Sequence, residues 1–280
     1  MVLFTLWLWP LLTLVLLPGL LVYFGLHVVE RGIVFVDLAL AQIAALGVCV
    51  AVALGAHPGH DALPYVLSIV FTLLGAALFA WTRFRHPRVP QESIIGIIYV
   101  VAAAAATLVL SHSAEGDEAL KTLLLGNVLL VTKEEVLRTF ALFGAIAGIH
   151  ALLRKPFLML TFDEDEAQRR GLALRTWDFL FYATFGLTVT SFVQITGVYL
   201  VFSYLIVPAV CGALLSANIR SRLVIGWGVA LAAGIAGLIL SIKLETLDLP
   251  TGPTIVCCFG VMLIVCAVIA RLRGQAVVRA

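Results

Sequence analysis

Nine long apolar runs fill most of this chain, and each is bounded by charged residues or by proline and glycine. About 20 apolar residues can cross a bilayer as an α-helix, which satisfies its own backbone hydrogen bonds. Only 12% of the residues are charged, against about 25% in ordinary soluble domains, so a soluble globular protein is excluded. The sequence therefore predicts an all-α, polytopic membrane helix bundle of eight or nine transmembrane helices. The runs lie near residues 4–28, 32–55, 64–82, 93–111, 135–153, 177–193, 198–216, 223–241 and 254–270.

A further apolar run, residues 122–131 (TLLLGNVLLV), is too short to cross the bilayer alone. It is either re-entrant or interfacial, and the exact number of spans depends on it. No part of the chain has the polarity of a soluble domain, so we expect a single transmembrane domain over residues 1–280.

The basic residues predict the orientation of the helices. Fourteen of the 18 Lys and Arg residues fall in alternate loops and in the C-terminal tail. The positive-inside rule makes that side cytoplasmic, together with the C-terminus. The net charge of +2 is too small to indicate a nucleic-acid partner.

The longest polar stretch, residues 160–177, has the local signals of a short helix on the cytoplasmic side. Asp163 can cap this helix, with Glu166 three residues later, as in a capping box. Acidic residues follow in the first turn and arginines in the last, and Gly171 stands where a helix end favours a left-handed residue. Such a helix is either a docking element for a soluble partner or a solvated connector, and local signals leave both open.

Asp37 stands inside an apolar run, with Gln42 five residues later. An ionised carboxylate within a span costs about 2.5 kcal/mol or more, so it should face the bundle interior, a water-filled cavity or a cation. Five residues place Gln42 about 140° around the helix from Asp37, so the two do not share a tight face. The pair indicates either oxygen donors along the path of a divalent cation or an anchor between helices.

Three other residues are weaker candidates for metal contact. Glu92 opens the fourth span after Pro90, where a carboxylate also complements the helix N-terminus. His57 and His60 lie in an HPGHD loop that could touch a metal briefly.

The chain has no sequence signal of its own for ATP binding or catalysis. Its lysines are Lys121, Lys133, Lys155 and Lys243, and none completes the GxxxxGK[ST] pattern that cradles phosphates. If transport here uses ATP, another chain must bind it, so we expect no enzyme activity and no catalytic residue.

Taken together, several segments resemble the permease subunit of the ABC-3 family of bacterial zinc and manganese importers, over nearly the whole chain. The matching segments, in the family's order, are FVDLALAQIAALG, QESIIGI, LLLGNVLLVTKEEV, FDEDEAQRRGL, ITGVYLVFSYLIVPAV and DLPTGPTIV. The resemblance implies a homodimer of permeases in the bacterial inner membrane, two cytoplasmic ATPase subunits, and a periplasmic or surface-anchored metal-binding protein. It implies a metal that is substrate rather than cofactor, with no covalently bound cofactor.

The resemblance also assigns residues. Asp163, Ala167 and Gly171 match the family's Asp-x3-Ala-x3-Gly coupling segment, which implies that the ATPase docks there. Asp37 and Gln42 match a region where the family usually has Asp and His four residues apart. Here the spacing is five and the histidine is glutamine, which removes a favoured zinc ligand.

We therefore expect an alternating-access importer for a divalent transition metal, with zinc first and manganese or iron second. Two alternatives stay open at this stage: a permease for a metal chelate such as a siderophore or cobalamin, and a proton-coupled secondary carrier that uses Asp37 as a relay.

Overall fold

The computed structural model describes residues 2–56, 61–83, 89–111, 131–243 and 249–274, with side chains from Trp9 onward. All regular secondary structure in these ranges is α-helical. The helices are α1 (Val2–Glu30), α2 (Val36–Ala53), α3 (Leu63–Trp81), α4 (Gln91–Leu110), α5 (Lys133–Leu152), α6 (Arg154–Phe162), α7 (Glu164–Arg169), α8 (Leu174–Thr196), α9 (Val198–Leu215), α10 (Ile219–Lys243) and α11 (Thr251–Leu272).

Within the described ranges, nine of these helices are long and apolar enough to cross a membrane. They follow the nine apolar runs in order, so the predicted polytopic helical bundle is confirmed. The remaining two, α6 and α7, are short and lie between the fifth and sixth spans. The sequence predicted α7 but not the separate helix α6. Of the apolar run 122–131, residues 122–130 lie outside the described residues, as do His57 and His60.

The start of α5 shows how local sequence sets a helix boundary. Glu135 accepts the backbone N–H of Thr132 at 2.8 Å, and the Thr132 hydroxyl accepts the backbone N–H of Glu135 at 3.3 Å. This reciprocal pair satisfies two of the four backbone donors that a helix start leaves free. The sequence Thr132–Lys133–Glu134–Glu135 has the pattern of a capping box, and the two bonds of that motif are present.

The chain divides into two compact units. The first comprises Met1–Val29, Leu124–Ala141 and Ile195–Ala280, and the second comprises Glu30–Leu123 and Leu142–Gln194. In the first unit α9, α10 and α11 pack against one another, and in the second α2 packs against both α3 and α4.

Small residues allow the helices of each unit to approach closely. In the first unit, a Cβ on Gly25 would stand 1.9 Å from the carbonyl oxygen of Leu205. In the second, a Cβ on Gly47 would stand 2.6 Å from the carbonyl oxygen of Leu67. Without a hydrophobic driving force between helices in lipid, such close backbone contacts supply the packing energy.

One pair of glycines has no such role in the described part of the chain. The spacing of Gly144 and Gly148 on α5 predicts a close helix contact. No described atom lies within 4 Å of where a Cβ would stand at either residue. The close contact that this spacing permits is therefore not made within the described residues, because the spacing of two glycines does not determine which face of a helix meets a neighbour.

Candidate functional site

Asp37 is the second residue of α2, in its first turn, and its side chain is buried. Its Oδ1 atom has no hydrogen-bond partner among the described residues. A buried carboxylate oxygen without a partner carries the cost of losing its water. Asp37 therefore lies at one end of its span, and an open carboxylate oxygen can bind a cation or hold a proton.

Glu92 brings a second carboxylate to the same place. It lies in the first turn of α4, and its Oε1 atom accepts the backbone N–H of Phe35 at 3.0 Å, immediately before α2. Its other oxygen, Oε2, is buried and has no hydrogen-bond partner in the described part of the chain. This contact with Phe35 places Glu92 at the start of the helix whose second residue is Asp37.

The two carboxylates therefore form a pair with the same charge at the adjoining starts of α2 and α4. Two neighbouring carboxylates in a low-dielectric site repel each other unless a cation or a shared proton lies between them. The sequence named both residues but did not predict that Glu92 would stand beside Asp37. We call Asp37 and Glu92 the carboxylate pair.

Gln42 is buried too, but it lies five residues further along α2. At 1.5 Å per residue it is about 7.5 Å deeper in the helix than Asp37 and on a different face. It therefore does not belong to the carboxylate pair, and its amide oxygen would be a separate donor. No group of three or more His, Cys, Asp and Glu side chains that could hold a metal occurs among the described residues.

The short helix α7 forms as its sequence indicates. The Asp163 carboxylate accepts the backbone N–H of Glu166 at 3.0 Å, which caps the helix start. Ala167 is completely buried, and its carbonyl oxygen accepts the backbone N–H of Leu172 at 3.1 Å. Gly171 has φ of +73°, the left-handed conformation expected at a helix end.

The capping differs from the prediction in one respect. The Glu166 side chain binds Arg169 at 2.9 Å and Arg170 at 2.7 Å instead of reaching back toward Asp163. These hydrogen bonds to Arg170 and Arg169 lower the pKa of the exposed Glu166 carboxyl below its ordinary value. Both arginines at the end of the helix are therefore already paired with Glu166.

Sequence reasoning missed a cluster of four charged residues around Asp178, which lies in the second turn of α8 and is completely buried. Its Oδ1 atom binds Arg31 at 3.1 Å, and its Oδ2 atom binds Arg83. Arg83 also binds Glu164 of α7 at 2.7 Å. We call Arg31, Arg83, Glu164 and Asp178 the charge cluster.

The two arginines of the cluster are in different surroundings. Burial lowers the pKa of Arg31 from its ordinary value, with Asp178 acting against that change. Burial acts in the same direction on Arg83, but the Asp178 and Glu164 carboxylates outweigh it and raise the pKa of Arg83. The signal for this cluster was present in the sequence: Asp178 is an acidic residue inside a predicted span, and such residues require partners.

The sequence profile described as the ABC 3 transport family matches residues 4–270. The chain belongs to this family. It is accordingly a multi-pass membrane permease subunit of an ABC transporter and not an enzyme, and ATP hydrolysis belongs to a separate subunit.

Individual relatives are distant but cover most of the chain. The manganese transport system membrane protein MntC of Halalkalibacterium halodurans is 26% identical over 88% of this chain and 81% of its own length. A "Probable iron transport system membrane protein" of Haemophilus influenzae is 24% identical over 75% of this chain and 76% of its own length.

A solved structure has the same fold. PsaBC from Streptococcus pneumoniae in complex with Fab matches with a TM-score of 0.76 at 21% identity, over 95% of this chain and 94% of that chain. At this identity the similarity concerns the fold alone.

Proposed function

We propose that this ABC-3 permease moves a divalent transition metal into the cell by alternating access. The observation that carries the proposal is the carboxylate pair, in which Asp37 and Glu92 each have a buried oxygen without a partner. A divalent cation bound between them would offset their negative charge and the cost of burying the Asp37 carboxylate. The names of the relatives, which concern manganese and iron, agree with a metal substrate.

Weak binding suits a transport path. The carboxylate pair supplies two protein carboxylates, whereas stable sites for transition metals usually have three or four protein ligands. The Gln42 amide, deeper in α2, would be a further oxygen donor along the path. A metal held by so few ligands can leave when the bundle changes shape.

The donor atoms support a divalent metal as substrate more directly than they indicate which metal it is. Zinc as the first choice stays a prediction from the family resemblance. Carboxylate and amide oxygens suit manganese, whereas imidazole suits zinc and iron. Manganese, iron and zinc are therefore compared directly in the test below.

The proposal includes the partners that the resemblance implies. Asp163, Ala167 and Gly171 would present α7 to a cytoplasmic ATPase, and a periplasmic or surface-anchored binding protein would deliver the metal. Two permeases would form a homodimer in the bacterial inner membrane with the C-terminus in the cytoplasm. Among the described residues, only 22% of α4 and of α11 is buried within the chain, which leaves surface for lipid or for a second permease.

The test is uptake of radioactive manganese, iron and zinc by cells that lack their own importers and express this chain with its cognate ATPase and binding protein. Asp37→Asn and Glu92→Gln each remove a charge with little change of shape and should lower uptake of the true substrate at least tenfold. Gln42→Ala should lower it less, because a neutral amide is a weaker donor. The matched control is Glu134→Gln, which changes an exposed carboxylate in the first turn of α5 and should leave uptake unchanged.

The same experiment decides between the alternatives. Normal uptake by both Asp37→Asn and Glu92→Gln, at wild-type levels in the membrane, would contradict the proposed path. Uptake of a siderophore or cobalamin complex but not of the free ion would favour the chelate permease. Uptake without the ATPase would favour the secondary carrier.

A further inference from the structure

The charge cluster joins three segments that are far apart in the sequence. Arg31 lies in the turn between α1 and α2, Arg83 follows α3, and Asp178 belongs to α8. Arg83 uses one terminal nitrogen for Asp178 and the other for Glu164, the first residue of α7. The coupling helix is therefore connected through a single arginine to a buried carboxylate of the bundle.

Arg31 is held in one position by several contacts. Besides Asp178, its Nε atom donates to the hydroxyl of Thr161 at 3.0 Å. Its guanidinium carbon lies 4.1 Å from the centre of the Phe181 ring, a cation–π contact. Asp37 is only six positions after Arg31, so fixing the guanidinium also restricts the start of α2.

The start of α4 is tied to the same part of α8. Gln91, the neighbour of Glu92, donates to the hydroxyl of Tyr182 and to the carbonyl oxygen of Phe79, both at 3.2 Å. Tyr182 lies four residues after Asp178, one helical turn further along α8. The start of α4, through Gln91, and the turn before α2, through Arg31, are thus both anchored on one turn of α8.

Stability alone is a poor reason for this arrangement. Replacing a buried ion pair by well-packed apolar residues is often neutral or stabilising, so a buried pair contributes little net stability. Removing one partner is different, because it leaves an uncompensated charge. Without Asp178 the two arginines would face each other and separate, so the positions of the turn before α2 and of the segment after α3 depend on this carboxylate.

We propose that Asp178 is a positioning residue that transmits movement of the coupling helix to the carboxylate pair. A shift of α7 would move Glu164 and, through their ion pair, Arg83. Asp178, which binds both arginines, would then move Arg31 and with it the start of α2. This inference rests on the proposed function, since it requires an ATPase at α7 and a substrate at the carboxylate pair. All of its contacts lie within the second unit.

The test uses the complete transporter, which comprises this chain, its cognate ATPase and its metal-binding protein, reconstituted in lipid vesicles. Three quantities are measured: association of the ATPase with the permease, ATP hydrolysis without metal, and the stimulation of hydrolysis by metal-loaded binding protein. In the variant Asp178→Asn, association of the ATPase should stay within twofold of wild type. Stimulation of hydrolysis and metal uptake should both fall at least tenfold. Asp178→Glu, which restores the charge, should recover part of both.

The matched control is Thr190→Val on the same helix. Thr190 shares a buried hydrogen bond with Thr72 at 2.9 Å, and Thr72 retains its bond to the carbonyl oxygen of Ser68 without it. This variant changes a buried polar contact between α3 and α8 outside the cluster and should keep wild-type stimulation. Equal losses in Thr190→Val and Asp178→Asn would show that any buried polar change in α8 has this effect, which would overturn the proposal.

A second measurement applies if Asp178→Asn does not assemble. Glu164 is about half exposed, so Glu164→Gln should fold, and it removes the other carboxylate that holds Arg83. Stimulation should fall severalfold in Glu164→Gln and at least as far in Arg83→Gln, which also removes a partner of Asp178. The double variant should match Arg83→Gln alone, because both changes break the same link. Additive losses would overturn the proposal.

The two hypotheses fail differently. Wild-type transporter that shows no association with the ATPase, or no stimulation by any metal, would contradict the proposed function. A wild-type transporter that is stimulated by metal, with Asp178→Asn equally stimulated, would contradict only the role of Asp178.

Discussion

The Glu92 carboxylate accepts the backbone N–H of Phe35 at 3.0 Å, so the first turn of α4 holds the residue that precedes α2. The two residues are 57 positions apart in the sequence. One oxygen of Glu92 thus has a structural partner while the other stays open beside Asp37. A single side chain therefore both positions α2 and contributes to the carboxylate pair.

Substitution of Glu92 should separate these two roles. Glu92→Ala removes the acceptor for Phe35 and should lower the free energy of unfolding by about 1 kcal/mol, the usual net contribution of one hydrogen bond. Glu92→Gln retains an acceptor oxygen and should unfold close to the wild-type temperature, although it loses uptake. Thermal unfolding in detergent measures the difference. Equal destabilisation by Ala and Gln would show that the charge of Glu92, and not its hydrogen bond, holds the start of α2.

Gly171 should be sensitive to substitution because of its backbone conformation. Its φ of +73° costs an L-residue about 1–2 kcal/mol, and a branched side chain tolerates it least. Gly171→Val should therefore distort the end of α7 and lower recovery of the ATPase in a pull-down. Gly144→Val is the control, since no described atom lies within 4 Å of its Cβ position. Full recovery of the ATPase with Gly171→Val would contradict docking at this segment.

Gly25 should be essential for the packing of the first unit. A Cβ at this position would stand 1.9 Å from the carbonyl oxygen of Leu205, so Gly25→Ala must push α1 away from α9. We expect a loss of stability of about 1–3 kcal/mol or more, typical of overpacking. Gly19→Ala on the same helix meets no described atom within 4 Å and should be neutral or slightly stabilising, because alanine favours helix. Equal unfolding temperatures for the two variants would contradict the close approach.

The order of α7 should depend on pH through Glu166. Its bonds to Arg170 and Arg169 lower its pKa in the folded chain below the ordinary value of 4.5. A lowered folded-state pKa means that the stabilisation is complete above the unfolded pKa and is lost as pH falls through the folded pKa. The window is therefore below about pH 4.5. Amide hydrogen exchange of residues 163–171 in detergent, corrected for the intrinsic pH dependence of exchange, should show less protection in that range.

The control for this experiment is Glu166→Gln, which cannot titrate. It should have lower protection than wild type at neutral pH, and the difference should vanish in acid. A difference that persists unchanged through the acid range would exclude Glu166 as the titrating group.

The sequence was most informative where the determining interactions are local. The helix at α7 was predicted from Asp163 and Gly171, and its capping bond spans three residues. The nine spans were predicted from runs of apolar residues, because the bilayer sets their length and requires helical hydrogen bonding. The structure confirms both sets of elements.

The sequence was least informative where charged residues of different loops meet. Asp178 binds Arg31 across 147 positions and Arg83 across 95. Nothing in the spacing of these residues indicates their contact, since it depends on which turns the packed helices bring together. The same reason explains why Glu92 was a weak candidate in the sequence and stands beside Asp37 in the structure.

The sequence by itself determined that this chain is a helical membrane protein, where its helices lie, and which segment has the form of a coupling helix. Those properties follow from hydrophobicity, helical periodicity and capping, which act over a few residues or a single span. The tertiary structure alone decided that Glu92 contacts the residue before α2 and that Asp178 binds Arg31 and Arg83, of which Arg83 also binds α7. Burial in a low-dielectric interior makes these few charged side chains depend on interaction partners. Only the packing of the helices determines which residues those partners are.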